Sequence, residues 1–392
     1  MTVLQTLAKA GFSSYLAGHS ALRMYFDSSP GLFLWVETEG SLVDLSRLFD
    51  GLSYPGSEYF DAALDMDETF VLFHCVDPAE CPEGQQASLQ GGFLYDIRRG
   101  VYKDPNEAYC YLRGSELISA AAHKNVPVPP YGEMPAALRR WYISGEIALL
   151  VSGFGYVPDS SLMGEIRRDP AEELSEKPGR YSALLTPQEQ RFILGGTLTG
   201  AHAEAGLNIL MRSGFIEAHW PLLGAMNGVL HSKEHHPEGN VWKHTLETFS
   251  HRKIHDLPLA LALLLHDCGK SYAQEQNGNR FDRHAQIGAH KARLFLKNLL
   301  YSGEMIDKVE FLVQHHMIPG AVSGMPVYRT EKIMASPLFP DLLELYRCDI
   351  SSTYRGPEGY YRACRTYRAF LKHSHNPFRT SDGKKRLRLL VE

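Results

Sequence analysis

The stretch LALLLHDCGK, residues 261–270, ends an apolar run on an adjacent histidine and aspartate, His266 and Asp267. Holding a carboxylate against such a run costs several kcal/mol unless an opposite charge meets it. The sequence offers partners in a fixed order: His244 upstream, then His284, the pair His315 and His316, and Asp349 downstream. Imidazole and carboxylate together suit Mn, Fe, Co, Ni, Zn or Mg. One ion is expected on His244, His266, Asp267 and Asp349, with positions open to water, and a second on His284, His315 and His316. Two cations sharing a water bring its pKa toward neutrality and also bind phosphate oxygens. Asp267 and Lys270 are the expected catalytic pair, Lys270 neutralising charge on a phosphoryl group. Arg283, Arg347 and Arg355 are further expected phosphate contacts. Each residue also has a plainer reading: a His-Asp dipeptide can be structural, and His315-His316 suits a helix C-terminus. His231, His235 and His236, in HSKEHH, read as a solvated loop.

The elements that must position these residues are helical. His244 falls early in the helix of GNVWKHTLETF, and Asp349 falls on an otherwise apolar helix in DLLELYRCDISS. Thr186-Pro187 reads as a helix start, with the threonine as cap and proline in the first turn. The first 120 residues differ. GLFLWVET and ETFVLFHCV read as strands, and GGFLYDIRRGVYKDP as a hairpin around Arg98-Arg99-Gly100. Ser41 is the expected N-cap of a helix in SLVDLSRLFDGL. The expected division is a head at 1–122, a proline-rich linker at 123–135, a helical body or neck at 136–235, a metal-binding domain at 236–372 and a basic tail at 373–392.

Composition narrows the class. The 392 residues are 44% hydrophobic and 22% charged with net charge −5, so no global basic field marks a nucleic-acid binder. Six scattered cysteines without a close CxxC pair argue against a zinc ribbon or disulfide scaffold and suit a reducing compartment. No run spans a membrane and no signal peptide is visible, so a cytoplasmic protein without a membrane partner is expected.

On these residues the chain resembles the HD superfamily of metal-dependent phosphohydrolases, with signature H…HD…D. HDCGK matches the HD-x-GK variant, and QHH resembles the extra histidines of two-metal members. The likeness extends outward: the segments from GNVWKHTLETF to NRFDRHAQIGAHKA are similar to the C-terminal HD domain of bacterial tRNA nucleotidyltransferases, the CCA-adding and poly(A) polymerase family. LNILMRSGFIEAHWPLL resembles that family's helical body, and YLAGHSALRMYF the start of its head. The resemblance implies an α+β fold: a small mixed-sheet nucleotidyltransferase-like N-terminal domain, then a mostly α-helical body and an all-α HD domain.

The head departs from the family pattern. Its glycine pair becomes Gly18-His19, and the two magnesium-binding carboxylate positions fall at Phe33 and Trp35, neither of which binds magnesium. The expected function is therefore a metal-dependent phosphohydrolase or phosphodiesterase. One or two divalent ions would activate water against a phosphomonoester or phosphodiester of a nucleotide or RNA end, tRNA included, with nucleotidyl transfer set aside. Two alternatives stay open: a tRNA 3′-end nucleotidyltransferase of the CCA-adding type, and a non-catalytic RNA-binding relative.

Overall fold

A computed structural model describes residues 2–66, 69–76, 93–103, 136–158, 163–164, 166, 184–230, 239–273, 275–276, 280–281, 283–354 and 356–373. The expected linker, the loop histidines His231, His235 and His236, Arg355 and the basic tail beyond His373 lie outside them. The chain divides into two units, Met1–His219 and Trp220–Glu392. That division falls earlier than the boundary at 235/236 read from sequence between body and metal-binding domain.

The first unit holds a six-stranded mixed sheet in the order β3-β4-β2-β1-β5-β6. Its strands are β1 (Ser14–Ala17), β2 (Phe33–Thr38), β3 (Ala62–Met66), β4 (Thr69–Cys75), β5 (Leu94–Asp96) and β6 (Val101–Lys103). β2 and β4 run parallel, whereas the other pairings are antiparallel. The helices are α1 (Val3–Lys9), α2 (Gly18–Asp27), α3 (Leu42–Leu48), α4 (Ala136–Phe154), α5 (Pro187–Leu198), α6 (Ala203–Arg212) and α7 (Phe215–His219). Two of these starts were legible as caps. Ser41 Oγ accepts from Asp44 N, and Asp44 returns the bond to Ser41 N. Thr186 and Glu189 do the same for α5, behind Pro187 in the first turn.

All six residues of β2 are buried, and its first four, Phe33–Val36, form a continuous apolar run rather than an alternation. β1 pairs only with its far end, from Val36 to Thr38. Ser20, in the first turn of α2, covers the open edge: its Oγ accepts from Trp35 N at 2.9 Å and donates to Phe33 O at 3.2 Å. On the other side α5 comes so close that a Cβ on Gly195 would lie 1.9 Å from the Phe33 ring. Glycine at 195 is therefore a packing requirement. Phe33 and Trp35 sit in the core, 3% and 5% exposed.

The second unit is helical around its described core: α8 (Pro221–Gly224), α9 (Val241–Ser250), α10 (Leu257–Leu265), α11 (His284–Asn298), α12 (Gly303–His315), α13 (Ile318–Ala321), α14 (Val327–Met334), α15 (Phe339–Ser351) and α16 (Glu358–His373). Asp256 caps α10 by accepting from Leu259 N, and Pro258 stands in the first turn. Every residue of α10 except Pro258 is buried, so this helix anchors the unit. Among the described residues no helix is long and apolar enough to cross a membrane.

Two expectations follow from this packing. Gly195→Ala should destabilise the protein by about 1–2 kcal/mol in thermal or urea unfolding, because forced overpacking against Phe33 outweighs alanine's helix advantage. The companion change Phe33→Leu should recover part of that loss, whereas an unchanged midpoint in Gly195→Ala would contradict the contact. The second concerns pH. Burial, aided by Arg23, pushes His19 down to about 3, and burial pushes His219 down to about 4. Between these values and the unfolded value near 6.5 the unfolded chain holds more protons, so stability rises with pH and is lost as pH falls through that window. Urea midpoints measured with chelator should drop from pH 7 to pH 5, and His19→Leu should flatten the slope. Equal midpoints at both pH values would contradict it.

Candidate metal centre

α9 starts at Asn240, whose Oδ1 accepts from Lys243 N at 2.8 Å and so fixes the turn that carries His244. α10 delivers His266 at its C-terminal end and Asp267 one residue on, where the chain turns into a 3-10 helix, Cys268–Tyr272. That turn lies directly on the start of α11. A Cβ on Gly269 would fall 2.0 Å from His284 O and 2.5 Å from Gly288 N. The glycine of the HDCGK segment thus permits the approach that sets Asp267 beside His284. α12 supplies His316 at its end, and α15 supplies Asp349.

These side chains converge around Asp267. Its Oδ2 lies 2.7 Å from Lys270 Nζ, 3.3 Å from His266 Nε2 and 3.9 Å from His244 Nε2. Its Oδ1 lies 3.6 Å from His284 Nε2 and 3.9 Å from His316 Nε2. Two groups able to hold an ion result: His244, His266 and Asp349, and Asp267, His284 and His316, each with ligand atoms within 4.8 Å of one another. The sequence had assigned Asp267 to the first ion alone. The geometry instead sets it between the groups, one oxygen toward each.

The histidine tautomers follow from the second hydrogen bond each ring makes. His266 Nδ1 donates to Leu263 O at 2.8 Å, and His316 Nδ1 donates to Val313 O at 2.7 Å. A carbonyl can only accept, so both Nε2 lone pairs point into the centre. His266 Nε2 is buried without a hydrogen-bond partner, and His316 Nε2 faces His284 Nε2 at 3.3 Å. A buried imidazole nitrogen without a partner, beside a second ring turned the same way, fits a cation. Ser352 Oγ donates to Asp349 O at 2.6 Å, so the 3.2 Å contact with His244 Nδ1 has the imidazole donating. His244 Nε2 then meets Asp349 Oδ1 at 3.0 Å, a contact satisfied by a proton on the ring or by a cation shared between the two atoms.

The electrostatics agree. Burial works to raise the Asp267 carboxyl, but the Lys270 ammonium and neighbouring imidazoles hold it well below its usual range. Burial likewise works against Asp349, which the His244 hydrogen bond and charge bring down. Burial lowers His316 to about 4, so its ring is neutral near pH 7.

Six of the seven expected ligands meet here, and His315 does not. Adjacent helical residues point about 100° apart, and the His315 ring packs edge-on against Phe311 at 4.7 Å. The expected phosphate contacts also divide. Lys270 is at the centre. Arg347 is engaged elsewhere: Nε donates to Glu344 at 2.8 Å, and Nη2 bonds Glu344 and His251 O, clamping α15 to the end of α9. Arg283 is exposed, in left-handed backbone at φ 60° ahead of α11. Sequence reasoning missed Ser352, whose signal was its place three residues after Asp349, and Gly288, the other half of the Gly269 contact.

Equilibrium dialysis against Mn, read as ions per chain, checks the geometry. Asp267→Asn should weaken both ions, His266→Ala and His316→Ala one each, and His315→Ala neither. Loss in His315→Ala equal to that in His316→Ala would contradict the assignment.

Residues 240–340 match the HD domain family. Asp349 lies just beyond the matched residues. A CC-adding tRNA nucleotidyltransferase of Thermus thermophilus is 31% identical over 175 residues, 42% of this chain and 39% of that protein. A multifunctional CCA protein of Shewanella denitrificans is 25% identical over 158 residues, 40% of this chain and 34% of its own length. The matches thus span well under half the length of these relatives. A crystal structure of Bacillus stearothermophilus CCA-adding enzyme in complex with CTP superposes with a TM-score of 0.47 at 15% identity, covering 94% of this chain and 81% of that one. The expectation of a hydrolase with nucleotidyl transfer set aside is overturned, since the relatives carry the names of CC-adding and CCA proteins. The C-terminal region is an HD domain, in a chain that resembles the CCA-adding tRNA nucleotidyltransferases.

Proposed function

We propose that this chain acts at the 3′ end of tRNA, as a protein of the CCA-adding kind, with one or two divalent ions in its HD domain holding a phosphate of the nucleotide or RNA end. The observation that carries the reading is the pair of ligand groups around Asp267, within residues similar to the HD family and a chain similar to CC-adding and CCA proteins. Bound cations would supply charge neutralisation for phosphate oxygens. The chain's own contribution is orientation: Leu263 and Val313 carbonyls fix the two imidazoles, and Lys270 adds a cationic side chain on the Asp267 side.

Nucleotidyl transfer in the head would need carboxylates, which Phe33 and Trp35 do not supply. Glu37 stands two residues along β2 from Trp35, 2% exposed. Glu146, from α4, has Oε1 3.8 Å from where a Cβ on Gly18 would sit. Burial first, then the charge of Glu37, raises the Glu146 carboxyl to about 8. That value leaves Glu146 protonated near pH 7, so on this strand Glu37 is the carboxylate open to test. The apolar side chains at 33 and 35 favour a second reading, in which the head binds tRNA without transferring nucleotide.

One pair of assays separates the readings. Labelled CTP and ATP are offered with tRNA lacking its 3′ end, and binding of that tRNA is measured with and without Mn. The first reading predicts incorporation that disappears in Glu37→Gln. Absent incorporation together with Mn-dependent binding weakened in His266→Ala supports the second. Neither incorporation nor metal-dependent binding would overturn the function.

A further inference from the structure

α16 carries a face the proposed chemistry does not use. Arg362, Arg365, Arg368 and Lys372 recur at three- and four-residue spacing and are all exposed. At 100° per residue they fall in one arc about 120° wide, with Tyr361, 55% exposed, inside it. The opposite side is buried through Ala363 and Phe370, and Tyr367 packs at a tilt against Phe339 of α15 at 4.6 Å between ring centres. The acidic residue of the helix, Glu358, stands in its first turn. No salt bridge is seen to these four cations among the described residues.

The charge is concentrated here against the trend of the chain. Residues 358–392 hold nine Lys or Arg against three Asp or Glu, leaving 31 against 42 in residues 1–357, for a net charge of −5 overall. A cationic stripe on an acidic chain is the footprint of a local polyanion site. The helix belongs to the same unit as the metal centre and packs on α15, which carries Asp349.

We propose that the solvent face of α16 is an RNA-docking surface that takes the phosphate backbone of an RNA helix. From Arg362 to Lys372 the stripe runs ~15 Å. Four cations spread over that length can meet several phosphates of one strand. Three of the four cations are arginine, whose planar fork suits phosphate oxygens. The basic amphipathic pattern would also suit an anionic membrane, but that mode needs a free apolar face. Here Ala363 and Phe370 are buried in the domain's own core, and Leu371 is the exposed aliphatic residue of the helix. Backbone contacts of this kind position an RNA without reading its sequence. That the RNA is tRNA rests on the function proposed above, whereas the surface itself does not.

The test uses the full chain with Arg362, Arg365, Arg368 and Lys372 all changed to glutamine, exposed positions whose replacement leaves the circular dichroism spectrum as a check on folding. Binding of a labelled tRNA and of an unrelated blunt RNA duplex is followed by anisotropy from 50 to 300 mM salt. The expected result is at least tenfold weaker binding of both RNAs at 100 mM salt, with the log–log salt slope shallower by about three to four. Arg329→Gln/Lys332→Gln, which neutralises two exposed cations of α14, serves as the control and should leave both near wild type. Unchanged affinity and slope in the quadruple variant, or an equal loss per charge in the control, would overturn the proposal. Loss of binding to phosphatidylserine vesicles with RNA binding intact would overturn it in favour of a membrane. A quadruple variant that loses duplex binding while wild type fails every tRNA-end assay would sustain the surface and refute the function instead.

Discussion

One buried carboxylate sets the terms for the second unit. Asp267 is 3% exposed at the end of the apolar helix α10, and its two oxygens face two different sets of imidazoles. A lone ionised carboxyl in that place would be expelled or protonated. Lys270 meets one oxygen, but one ammonium does not account for four histidines converging on the same group, two with lone pairs locked inward by backbone carbonyls. The arrangement is coherent as ligands around positive charge. It is costly as a core without it, because His266 Nε2 is buried without a hydrogen-bond partner.

Precision in this centre comes from helices. α10 is held by its leucines, α9 by the Asn240 cap and by Arg347, and α15 by the Arg347 clamp and the Ser352–His244 contact. The 3-10 turn after Asp267 reaches α11 through a glycine–glycine contact that admits no side chain. Ligands on separately anchored elements have their positions fixed by packing outside the centre, which is the condition for a preorganised site.

Much of this was legible in the sequence, for identifiable reasons. Histidine and aspartate at helix ends and on apolar helices are conspicuous, so the ligand types and their order could be read. Which of two neighbouring histidines turns inward could not, because His315 and His316 differ only by rotation about α12 and packing decides. Arg347 read as a phosphate contact because its carboxylate partner, Glu344, is one of many acids on the chain until the helix brings the two together. In the head, β2 was legible as a strand, and its burial on both faces follows from Ser20 and Gly195, whose roles depend on tertiary approach. The class of reaction was not legible. Phe33 and Trp35 argued against transfer, whereas the relatives are named for CC and CCA addition.

Anomalous diffraction from crystals grown with Mn tests the central claim most directly. The account predicts two peaks on opposite sides of Asp267, one among His244, His266 and Asp349, the other beside His284 and His316. Crystals that show no manganese at this carboxylate, with Lys270 still its sole charged partner, would contradict it.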